Sequence, residues 1–500
     1  MSRTTEAEFH ALSARGNLVP IVRELRYDTG SPVSVFLRLP RTSDAFLLES
    51  VEGGERWARY SFVGFDPRLT IEQRGGSAAI RQGRRTAHVS DQPPLDVLRS
   101  VLKRYHVARS PEVPRFVGGL VGYLGWGAVR WFEPRVPARL GADPLFPDAE
   151  WMLVDRLIAF DRFRHTVKLI ACVDTERQRS RRAAFREGQR ALDGLEALLN
   201  RPVPRRSQPT RAGPLRPTWE ERGFLRAVER SKEYIAAGDC MQVVLSRRTE
   251  GRFRGDPFEL YRSIRVSNPA PYLFFLRFGP RALAGASPEV MVRVSDGTVT
   301  VRPIAGTRRR GATPEEDQQL EAELRTDAKE LAEHVMLLDL GRNDVGRVSA
   351  PGTVRVDERE VIERYSHVMH LVSQVSGRLR EGLDSLDAIA SVFPAGTVSG
   401  APKVRAMEII DELEPVPRGP YAGAVGYLGF DGSADLAITI RGVVVSGGTM
   451  RLQAGAGLVH DSRPAREFEE TEEKMRGVQF ALGLEPKKTI AARGGRRGRR

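Results

Sequence analysis

Short apolar runs separated by turn residues fill much of the chain beyond residue 240. The runs at residues 240–251, 272–279, 290–307, 423–432 and 436–459 contain β-branched and aromatic residues, and a shorter run of small apolar residues lies at 282–287. Asp296-Gly297 and Gly447-Gly448 interrupt two of these runs, and such pairs favour the tight turns of β-hairpins. The pattern therefore predicts large antiparallel sheets.

The first 200 residues combine shorter apolar runs with one long helical period. Residues 32–39, 45–51 and 56–73 are predicted as strands. The glycine-rich residues 116–133 predict a further strand that another part of the backbone approaches closely. Residues 177–200 place apolar side chains at a helical spacing, so this region is predicted to end in a helix.

Other helices are marked by capping residues and by an apolar face. Residues 218–238 form a predicted helix with Thr218 as its N-cap, and a second helical region begins at Thr313 and ends at Gly341. Residues 404–414 and 465–477 are also predicted as helices. Because helices do not alternate regularly with single strands, we predict an α+β fold with large antiparallel sheets, not a doubly wound parallel sheet.

Length and composition predict a soluble protein of several domains. The chain has 500 residues, no apolar run near the roughly 20 residues that span a bilayer, and an N-terminus without the apolar segment of a secretion signal. We therefore expect a cytoplasmic protein without membrane contact. Composition divides the chain into an N-terminal domain at 1–200, a Pro/Arg linker at 201–217, a second domain at 218–484 and a basic disordered tail at 485–500.

The formal net charge of +14 lies mostly in two short segments. Residues 201–218 hold five arginines and no acid, and residues 485–500 hold seven basic residues and one acid. Because the rest of the chain is close to neutral, we predict no specific nucleic-acid binding. Cys172 and Cys240 lie far apart and outside any CxxC pair, which supports neither a disulfide framework nor a zinc site.

Residues 393–403, FPAGTVSGAPK, form a glycine-rich loop before a helix. The two glycines permit a tight turn, and the start of the helix offers free backbone N–H groups. Together with the hydroxyls of Thr397 and Ser399 and the ammonium group of Lys403, the loop predicts a binding site for a carboxylate or a phosphate. An ordinary strand-to-helix turn explains the same residues equally well.

Two helices carry carboxylates that suit a metal ion. Glu333 lies in an otherwise apolar helix, where a buried carboxylate needs a positive partner. Glu467, Glu470 and Lys474 share one face of the helix at 465–477. Carboxylate oxygens from two helices are ligands that Mg²⁺ prefers. A helix face that is simply exposed to water has the same acidic pattern.

Two further titratable residues are candidates for proton transfer. Glu289 follows a proline and precedes a predicted strand, where partial burial would keep a carboxyl group protonated as a general acid. His370 lies in an apolar run of the strand type, where a structural histidine bonded to a backbone carbonyl is the more common arrangement. Neither residue is diagnostic by itself.

These fragments occur together and in a recognisable order. In chain order the motifs are LLES, NPAPY, GASPE, RPIAGTRRRG, EHVMLLDLGRND, HVMHLVS, FPAGTVSGAPK, GYLG, TIR, QAGAG and EETEEK. Together they resemble anthranilate synthase component I, the large chorismate-binding subunit, within the family of chorismate-utilising enzymes. The resemblance extends from about Leu47 to Lys474 and implies large antiparallel sheets packed in a sandwich with helices outside.

The resemblance also implies an active site. Glu333 and Glu470 match the ligands of a Mg²⁺ ion that holds the ring carboxylate of chorismate. The matching catalytic residues are His370, for the elimination of pyruvate, Glu289, the acid that helps the C4 hydroxyl leave, and Thr397. The matching substrate-binding residues are Gln242, Gly306, Thr307, Tyr421, Arg441, Gly455, Ala456, Gly457 and Lys474. The implied reaction adds ammonia at C2, expels the 4-hydroxyl and then releases pyruvate to leave anthranilate.

Two positions distinguish this reaction from those of related enzymes. Isochorismate and salicylate synthases carry a water-activating lysine where this chain has Gln242. Aminodeoxychorismate synthases typically carry a nucleophilic lysine where this chain has Ala305, whose methyl group cannot attack a substrate. The resemblance therefore implies amination at C2 by free ammonia, with aminodeoxychorismate synthase component I as the alternative within the family.

Two motifs resemble the tryptophan site of the family. The matching residues are Glu49, Ser50, Pro271, Tyr272 and Leu273, and methionine is the family's usual residue where Leu273 stands. The implied role is inhibition by tryptophan, the end product. A strand edge and a turn would explain each motif separately, but the two motifs occur together.

A partner subunit is implied as well. Neither cysteine lies in the glycine-rich turn of a nucleophile, so this chain is not expected to release ammonia from glutamine. We expect a separate glutamine amidotransferase subunit, in a heterotetramer of two large and two small subunits. The alternative of another class is a degenerate regulatory protein that binds tryptophan or RNA, and the retention of the matching active-site residues argues against it.

Overall fold

The computed structural model describes residues 3–50, 59–110, 113–204, 210–365 and 368–484. The basic tail predicted at residues 485–500 lies outside the described residues. Within the described ranges, no helix is long and apolar enough to cross a membrane.

The helices vary from one turn to five. In chain order they are α1 (Glu6–Leu12), α2 (Pro32–Phe36), α3 (Pro94–Leu102), α4 (Arg181–Leu199), α5 (Glu221–Ala236), α6 (Pro257–Ser267), α7 (Pro314–Thr326), α8 (Ala328–Gly346), α9 (Ser385–Val392), α10 (Lys403–Leu413) and α11 (Pro464–Ala481). Short 3-10 helices lie at Trp126–Trp131, Thr175–Arg177 and Gly396–Val398.

The strands are numbered in the same way. Those of the first half are β1 (Leu18–Arg26), β2 (Ala45–Glu49), β3 (Tyr60–Phe65), β4 (Leu69–Arg74), β5 (Ser77–Gln82), β6 (Arg85–Val89), β7 (Gly119–Leu124), β8 (Ala149–Val154), β9 (Arg156–Asp161), β10 (Thr166–Asp174), β11 (Arg211–Ala212) and β12 (Arg216–Pro217). Those of the second half are β13 (Gln242–Arg254), β14 (Tyr272–Phe278), β15 (Arg281–Ser287), β16 (Val290–Ser295), β17 (Thr298–Val301), β18 (Ile304–Arg309), β19 (Arg355–Arg364), β20 (Val368–Arg378), β21 (Gly400–Ala401), β22 (Ala424–Gly429), β23 (Ala434–Ile438), β24 (Gly442–Ser446) and β25 (Thr449–Leu458).

These strands form two large antiparallel sheets. The first sheet has 13 strands in the order β1-β10-β9-β3-β2-β14-β15-β24-β25-β13-β11, with β12 and β21 also paired to β13. The second sheet has 12 strands in the order β18-β20-β17-β16-β23-β22-β7-β8-β4-β5-β6, with β19 paired to β20. The predicted α+β fold with large antiparallel sheets is confirmed.

Two hydrophobic clusters hold the layers together. One contains Leu120 and Leu436 of the second sheet and Phe274 of the first, so it lies between the sheets. The other contains Phe275, which points to the opposite face of β14 because successive side chains of a strand alternate. There Phe275 packs against Phe36 of α2 and against α6, so helices cover the outer face of the first sheet.

Each cluster contains residues from both sides of the Pro/Arg segment, so the two halves of the chain share both clusters. The predicted domain limits remain predictions about the sequence. Two parts of the predicted linker are strands, because Arg211–Ala212 and Arg216–Pro217 pair with β13. Residues 205–209 of the predicted linker lie outside the described residues. Thr218 continues this pairing through its backbone N–H and its hydroxyl, which both donate to the carbonyl oxygen of Arg248. Thr218 therefore does not cap α5, contrary to the prediction.

Two other predictions from local pattern are wrong. Residues 32–39 are not a strand, because Pro32–Phe36 is a helix capped by the hydroxyl of Ser31 and stabilised by the stacking of Phe36 on Phe258. Gly341 does not end α8, which continues for five more residues. A Cβ atom on Gly341 would lie 3.2 Å from Val301 Cγ2, so glycine here permits close packing on the second sheet.

The turn predictions are confirmed. Asp296 and Gly297 both have positive φ angles, of 50° and 74°, between β16 and β17. Gly447 and Gly448 have φ angles of 56° and 76° between β24 and β25. Positive φ at both central residues is typical of the tight turns that match the twist of a hairpin.

Candidate active site

A cleft of about 690 Å³ lies where the two sheets meet α8 and α11. Its walls also include β13, β18, β20, β25 and the loop at 393–403, and its volume lies within the roughly 300–1,000 Å³ of small-molecule sites. The predicted site residues that line it are Gln242, Glu289, Gly306, Thr307, Glu333, His370, Thr397, Tyr421, Arg441, Gly455, Gly457, Glu470 and Lys474.

Two of these residues lie where the chain crosses from one sheet to the other. Glu289 lies between β15 of the first sheet and β16 of the second, and Arg441 lies between β23 of the second sheet and β24 of the first. Arg441 has a φ of 54°, which lies in the left-handed region. Residues with a side chain seldom adopt this conformation, and those that do are often found at functional sites. The crossings thus direct an acid and a cation to the same cleft.

Glu289 is the most strongly perturbed carboxyl group of the cleft. The residue is only 8% exposed, and burial raises the pKa of Glu289 to about 8. The hydroxyl of Thr397 lies 3.0 Å and 3.1 Å from the two carboxyl oxygens of Glu289 and partly offsets this effect. At neutral pH Glu289 is therefore a protonated acid whose orientation is set by Thr397.

His370 is positioned by the pairing of two strands. Thr307 of β18 is its direct partner on β20, and Thr307 Oγ1 lies 2.9 Å from His370 Nδ1. The ring of Tyr365 meets the imidazole edge to face, with centroids 5.6 Å apart. Burial lowers the pKa of His370, although a hydrogen bond to the backbone of Gly306 opposes this shift. His370 is therefore neutral at pH 7 and able to accept a proton.

Glu333 projects from α8 into the cleft. Burial raises the pKa of the Glu333 carboxyl, and Gln242 Nε2 donates a hydrogen bond to Glu333 Oε1 at 3.0 Å. Gln242 Oε1 is buried and has no hydrogen-bond partner among the described residues. A neutral amide cannot balance a carboxylate, so the nearby ammonium group of Lys329 is the positive charge that favours ionised Glu333, whereas Glu330 and Glu470 oppose its ionisation.

The cationic side of the cleft comes from Lys474 and Arg441. Lys474 Nζ lies 2.7 Å from Glu470 Oε1, one turn earlier on α11, and donates to the carbonyl oxygen of Gly455 at 2.8 Å. Arg441 has no salt-bridge partner in the described part of the chain, and burial lowers its pKa without removing its charge. An anionic ligand would therefore find one free guanidinium group and one ammonium group.

The donor set fits a Mg²⁺ ion. Glu333 and Glu470 present carboxylate oxygens to the cleft, and a hard divalent cation prefers such ligands. Over the ranges that the structure describes, no three His, Cys, Asp or Glu side chains form a group that could hold a metal. An ion bound here would therefore share its coordination between these carboxylates and oxygens of a ligand or of water.

The loop at 393–403 contributes less than its sequence predicts. Lys403 Nζ donates to Asp344 Oδ2 at 2.7 Å and to the carbonyl oxygen of Val392 at 2.6 Å, so the ammonium group is buried beneath the loop. Ser399 is fully buried, and its hydroxyl donates to the carbonyl oxygen of Ala395. The predicted anion site formed by Thr397, Ser399 and Lys403 is therefore wrong, since only Thr397 of the three lines the cleft.

Ala456, predicted to bind the substrate, does not line the cleft either. It lies between Gly455 and Gly457 on β25, and alternation along the strand turns its methyl group to the opposite face. Sequence reasoning also missed residues that do line the cleft, among them Lys329 and Gln453. Lys329 stands four residues before Glu333 on α8, so helical spacing could have identified it.

The five residues predicted for the tryptophan site are neighbours. Leu273 of β14 pairs with Glu49 of β2, and the Ser50 hydroxyl donates to the carbonyl oxygen of Pro271 at 2.5 Å. Glu49 is buried and accepts hydrogen bonds from Arg265 of α6.

Tyr272 and Leu273 lie on opposite faces of β14. Leu273 belongs to the cluster beneath α6, whereas Tyr272 Oη lies 3.0 Å from Asp435 Oδ1 in the second sheet. The five residues therefore join both sheets at one place, and their predicted role in tryptophan binding stays a prediction.

A family model described as chorismate binding enzyme matches residues 44–479 of the chain. Anthranilate synthase component 1 of Pseudomonas putida is 49% identical over 486 residues, which cover 95% of this chain and 98% of that protein. The protein of the same name from Acinetobacter calcoaceticus is 47% identical over 494 residues, which cover 96% and 98%.

Solved structures show the same fold. Anthranilate synthase component I from Streptococcus pneumoniae TIGR4 superposes with a TM-score of 0.75 at 35% identity, over 91% of this chain and 99% of that chain. The menaquinone-specific isochorismate synthase of Escherichia coli has a TM-score of 0.66 at 21% identity, over 96% and 98%, which is a likeness of fold alone. The chain therefore belongs to the family of chorismate-binding enzymes.

Proposed function

We propose that the chain is the large subunit of an anthranilate synthase, which converts chorismate and ammonia into anthranilate, pyruvate and water. The observation that carries this proposal is the meeting of a protonated acid, Glu289, and a neutral base, His370, in one cleft with Arg441, a cation that forms no salt bridge with the described residues. Relatives at 49% and 47% identity bear the name of this enzyme.

Glu289 serves the first half of the reaction. Ammonia forms a bond to C2 of chorismate, the ring double bonds shift, and the bond from C4 to its hydroxyl breaks. The hydroxyl takes the proton of Glu289 and leaves as water, and the new ammonium group at C2 then releases a proton. Burial keeps Glu289 protonated up to about pH 8, and Thr397 holds its carboxyl group in one orientation.

His370 serves the second half. The neutral imidazole accepts the proton from C2, the bond between C3 and the ether oxygen breaks, and the enolpyruvate takes up a proton to become pyruvate. The ring is then aromatic anthranilate. Thr307 fixes the orientation of the imidazole through the contact with His370 Nδ1.

Charged residues bind the two carboxylates of the substrate. Arg441 and Lys474 supply positive charge, and the backbone of Gly455 and Gly457 lets the substrate approach β25 closely. Glu333 and Glu470 would hold Mg²⁺, which when bound supplies Lewis-acid chemistry and a template for substrate oxygens.

The nucleophile is ammonia because the cleft offers no lysine at the two positions that distinguish related enzymes. Gln242 and Ala305 both line the cleft, and neither side chain can activate water or attack the ring. Amination by free ammonia, and not hydroxylation or attack by a lysine, agrees with these two residues.

Ammonia comes from a separate glutamine amidotransferase subunit in this proposal. Cys172 and Cys240 are both buried, and burial raises the pKa of each thiol. A buried, protonated thiol is a poor nucleophile, so neither cysteine is suited to hydrolyse glutamine. The assembly of two large and two small subunits remains a proposal.

Product identification tests the proposed function. The purified chain is mixed with chorismate, Mg²⁺ and an excess of an ammonium salt near pH 8, where part of Glu289 is still protonated. The products are separated by chromatography with and without tryptophan. Anthranilate is the expected product. Aminodeoxychorismate or isochorismate would show that the interpretation of Ala305 or Gln242 is wrong, and the absence of any product would favour a degenerate regulatory protein.

We further propose that tryptophan binds beside Ser50 and inhibits the enzyme. Ser50→Ala removes the hydrogen bond from the Ser50 hydroxyl to the Pro271 carbonyl. We therefore expect the tryptophan concentration that gives half inhibition to rise by about tenfold or more, a change typical of the coupling between two binding sites. The turnover number without tryptophan should stay within twofold of the wild-type value.

Ser43→Ala is the matched control for Ser50→Ala. The Ser43 hydroxyl also donates to a proline carbonyl, that of Pro40, but in an exposed turn outside the predicted effector residues. The measurement is the rate of anthranilate formation by each variant and by the wild type as a function of tryptophan concentration. Equal tryptophan sensitivity in Ser50→Ala and the wild type would contradict the assignment.

A further inference from the structure

A buried ion pair lies directly behind the wall of the substrate cleft. The side chains of Arg418 and Glu414 are 1% and 2% exposed, and neither is among the residues that line the cleft. Arg418 Nη2 lies 2.7 Å from Glu414 Oε1, and Arg418 Nε lies 3.0 Å from Glu414 Oε2, so both carboxylate oxygens are engaged by the guanidinium group.

The same guanidinium group holds two backbone segments of the wall. Arg418 Nη1 donates to the carbonyl oxygen of Val398 at 2.7 Å, and Arg418 Nη2 donates to the carbonyl oxygen of Val244 at 2.6 Å. Val398 follows Thr397, which orients Glu289, and both valines line the cleft. One side chain therefore ties the loop at 393–403 to β13.

Glu414 extends the connection to a third segment. Glu414 Oε1 accepts hydrogen bonds from the backbone N–H of Ser246 at 2.7 Å and from its hydroxyl at 2.8 Å. The Ser246 hydroxyl in turn accepts a hydrogen bond from Gln453 Nε2 at 2.8 Å, and Gln453 of β25 lines the cleft. The pair thus reaches β25 as well as β13.

The faces of the guanidinium group make aromatic contacts. Its central carbon lies 4.1 Å from the ring centroid of Trp126 and 5.9 Å from that of Tyr421. Tyr421 lines the cleft, and its hydroxyl is hydrogen bonded to the backbone of Gly455. Arg418 therefore contacts a fourth part of the wall.

A buried ion pair is weak evidence for stability, because the cost of removing two charges from water often exceeds their attraction. The guanidinium group of Arg418 contacts one carboxylate, two backbone carbonyl oxygens and one aromatic ring. The planar guanidinium group, with its five N–H donors, suits this set of partners. Such a pair can define one conformation of the groups that it contacts.

We propose that Arg418 and Glu414 are positioning residues, which hold the Thr397 loop, β13 and Tyr421 in the one arrangement that aligns the substrate with Glu289. This inference rests on the proposed function for its kinetic test. It assigns a role to two residues that do not touch the substrate.

The test compares Arg418→Lys with the wild type. Lysine keeps the charge but cannot reach Glu414 and both carbonyl oxygens in one plane, so we expect kcat to fall about 100-fold, since a displacement near 1 Å can have that effect. KM for chorismate should change by less than threefold. The decrease of kcat/KM at alkaline pH should also move to higher pH, because a displaced Thr397 no longer favours ionised Glu289.

Arg281→Lys is the matched control. Arg281 is also ion-paired and largely buried, between Glu150 and Glu72, but it is not among the residues that line the cleft. We expect both variants to lose free energy of unfolding, measured by chemical denaturation, whereas only Arg418→Lys changes kcat and the pH profile. Glu414→Gln, which keeps the guanidinium group, replaces Arg418→Lys if that variant does not fold.

Hydrogen exchange separates this inference from the proposed function, because it needs no turnover. We expect the amides of residues 242–246 and 396–401 to exchange faster in Arg418→Lys than in the wild type, and to be unchanged in Arg281→Lys. If the wild type makes no anthranilate, the proposed function is wrong and the exchange rates still decide on the positioning role. The positioning role would be overturned if Arg418→Lys had the same kcat, pH profile and exchange rates as the wild type.

Discussion

Glu333→Gln is expected to lower kcat by about three orders of magnitude at any Mg²⁺ concentration, because several kcal/mol of metal-dependent stabilisation are lost. The substitution keeps the size of the side chain and removes one of the two carboxylates proposed as metal ligands. The measurement is the initial rate of anthranilate formation against Mg²⁺ concentration, together with calorimetric titration of Mg²⁺ into the chain in the presence of chorismate. Heat of binding should disappear along with the rate.

Glu469→Gln provides the control for the loss of a glutamate near the cleft. Glu469 is adjacent to Glu470 on α11, but its side chain is 64% exposed and it does not line the cleft. We expect this variant to retain the wild-type rate and Mg²⁺ dependence. A Glu333→Gln variant that binds Mg²⁺ as the wild type does would contradict the proposed metal site.

Glu289→Gln is expected to lower kcat/KM for chorismate by about 10²- to 10⁴-fold, the usual contribution of a general acid. The amide has the same shape and can still contact Thr397, but it has no acidic proton for the departing hydroxyl. In the wild type the pKa of about 8 places the loss of this proton, and so the decrease of kcat/KM, near pH 8. Rates measured from pH 6 to pH 10 would show whether the decrease is absent from the variant.

Thr397 offers a second measurement on the same group. Its hydrogen bond lowers the pKa of Glu289, so Thr397→Val should raise that pKa and move the decrease of kcat/KM to higher pH. Thr397→Ser keeps the hydroxyl and should leave the decrease near its wild-type position. A common pH profile in all three proteins would assign the ionisation to another residue.

The raised pKa of Glu289 also makes stability depend on pH. In the unfolded chain this carboxyl has an ordinary pKa of 4.5, so its contribution to folding is complete below that value and is lost as the pH rises through about 8. Glutamine has no proton to lose. At pH 9 Glu289→Gln should therefore be more stable than the wild type by on the order of a few kcal/mol in chemical denaturation, and the difference should vanish below the ordinary pKa of 4.5.

Much of the fold was predictable because strands and tight turns are local features. Alternating apolar residues between Asp-Gly and Gly-Gly pairs predicted the hairpins of β16 to β17 and β24 to β25, and both form. Short apolar runs are ambiguous by nature, and the run at 32–39 became helical because Phe36 packs against Phe258 of α6. Thr218 likewise forms strand hydrogen bonds with Arg248 and not with the start of α5.

The candidate site was predictable mainly through motifs whose residues meet only in the folded chain. Thr307 and His370 are 63 residues apart and become partners through the register of β18 and β20. Lys403 shows the limit of this reasoning, since its type and spacing suit an anion but its side chain turns under the loop to Asp344. Nothing local to Lys403 marks Asp344 as its partner.

By itself, the sequence determined the fold class, the family and most residues of the cleft, because periodicity, turn chemistry and ordered motifs are properties of residue types along the chain. The tertiary structure decided which side chains are buried and which groups meet. Burial made Glu289 an acid with a pKa of about 8, and long-range contacts placed Arg418 behind the cleft. Desolvation and pairing depend on distances between residues far apart in sequence, so only the folded chain determines them.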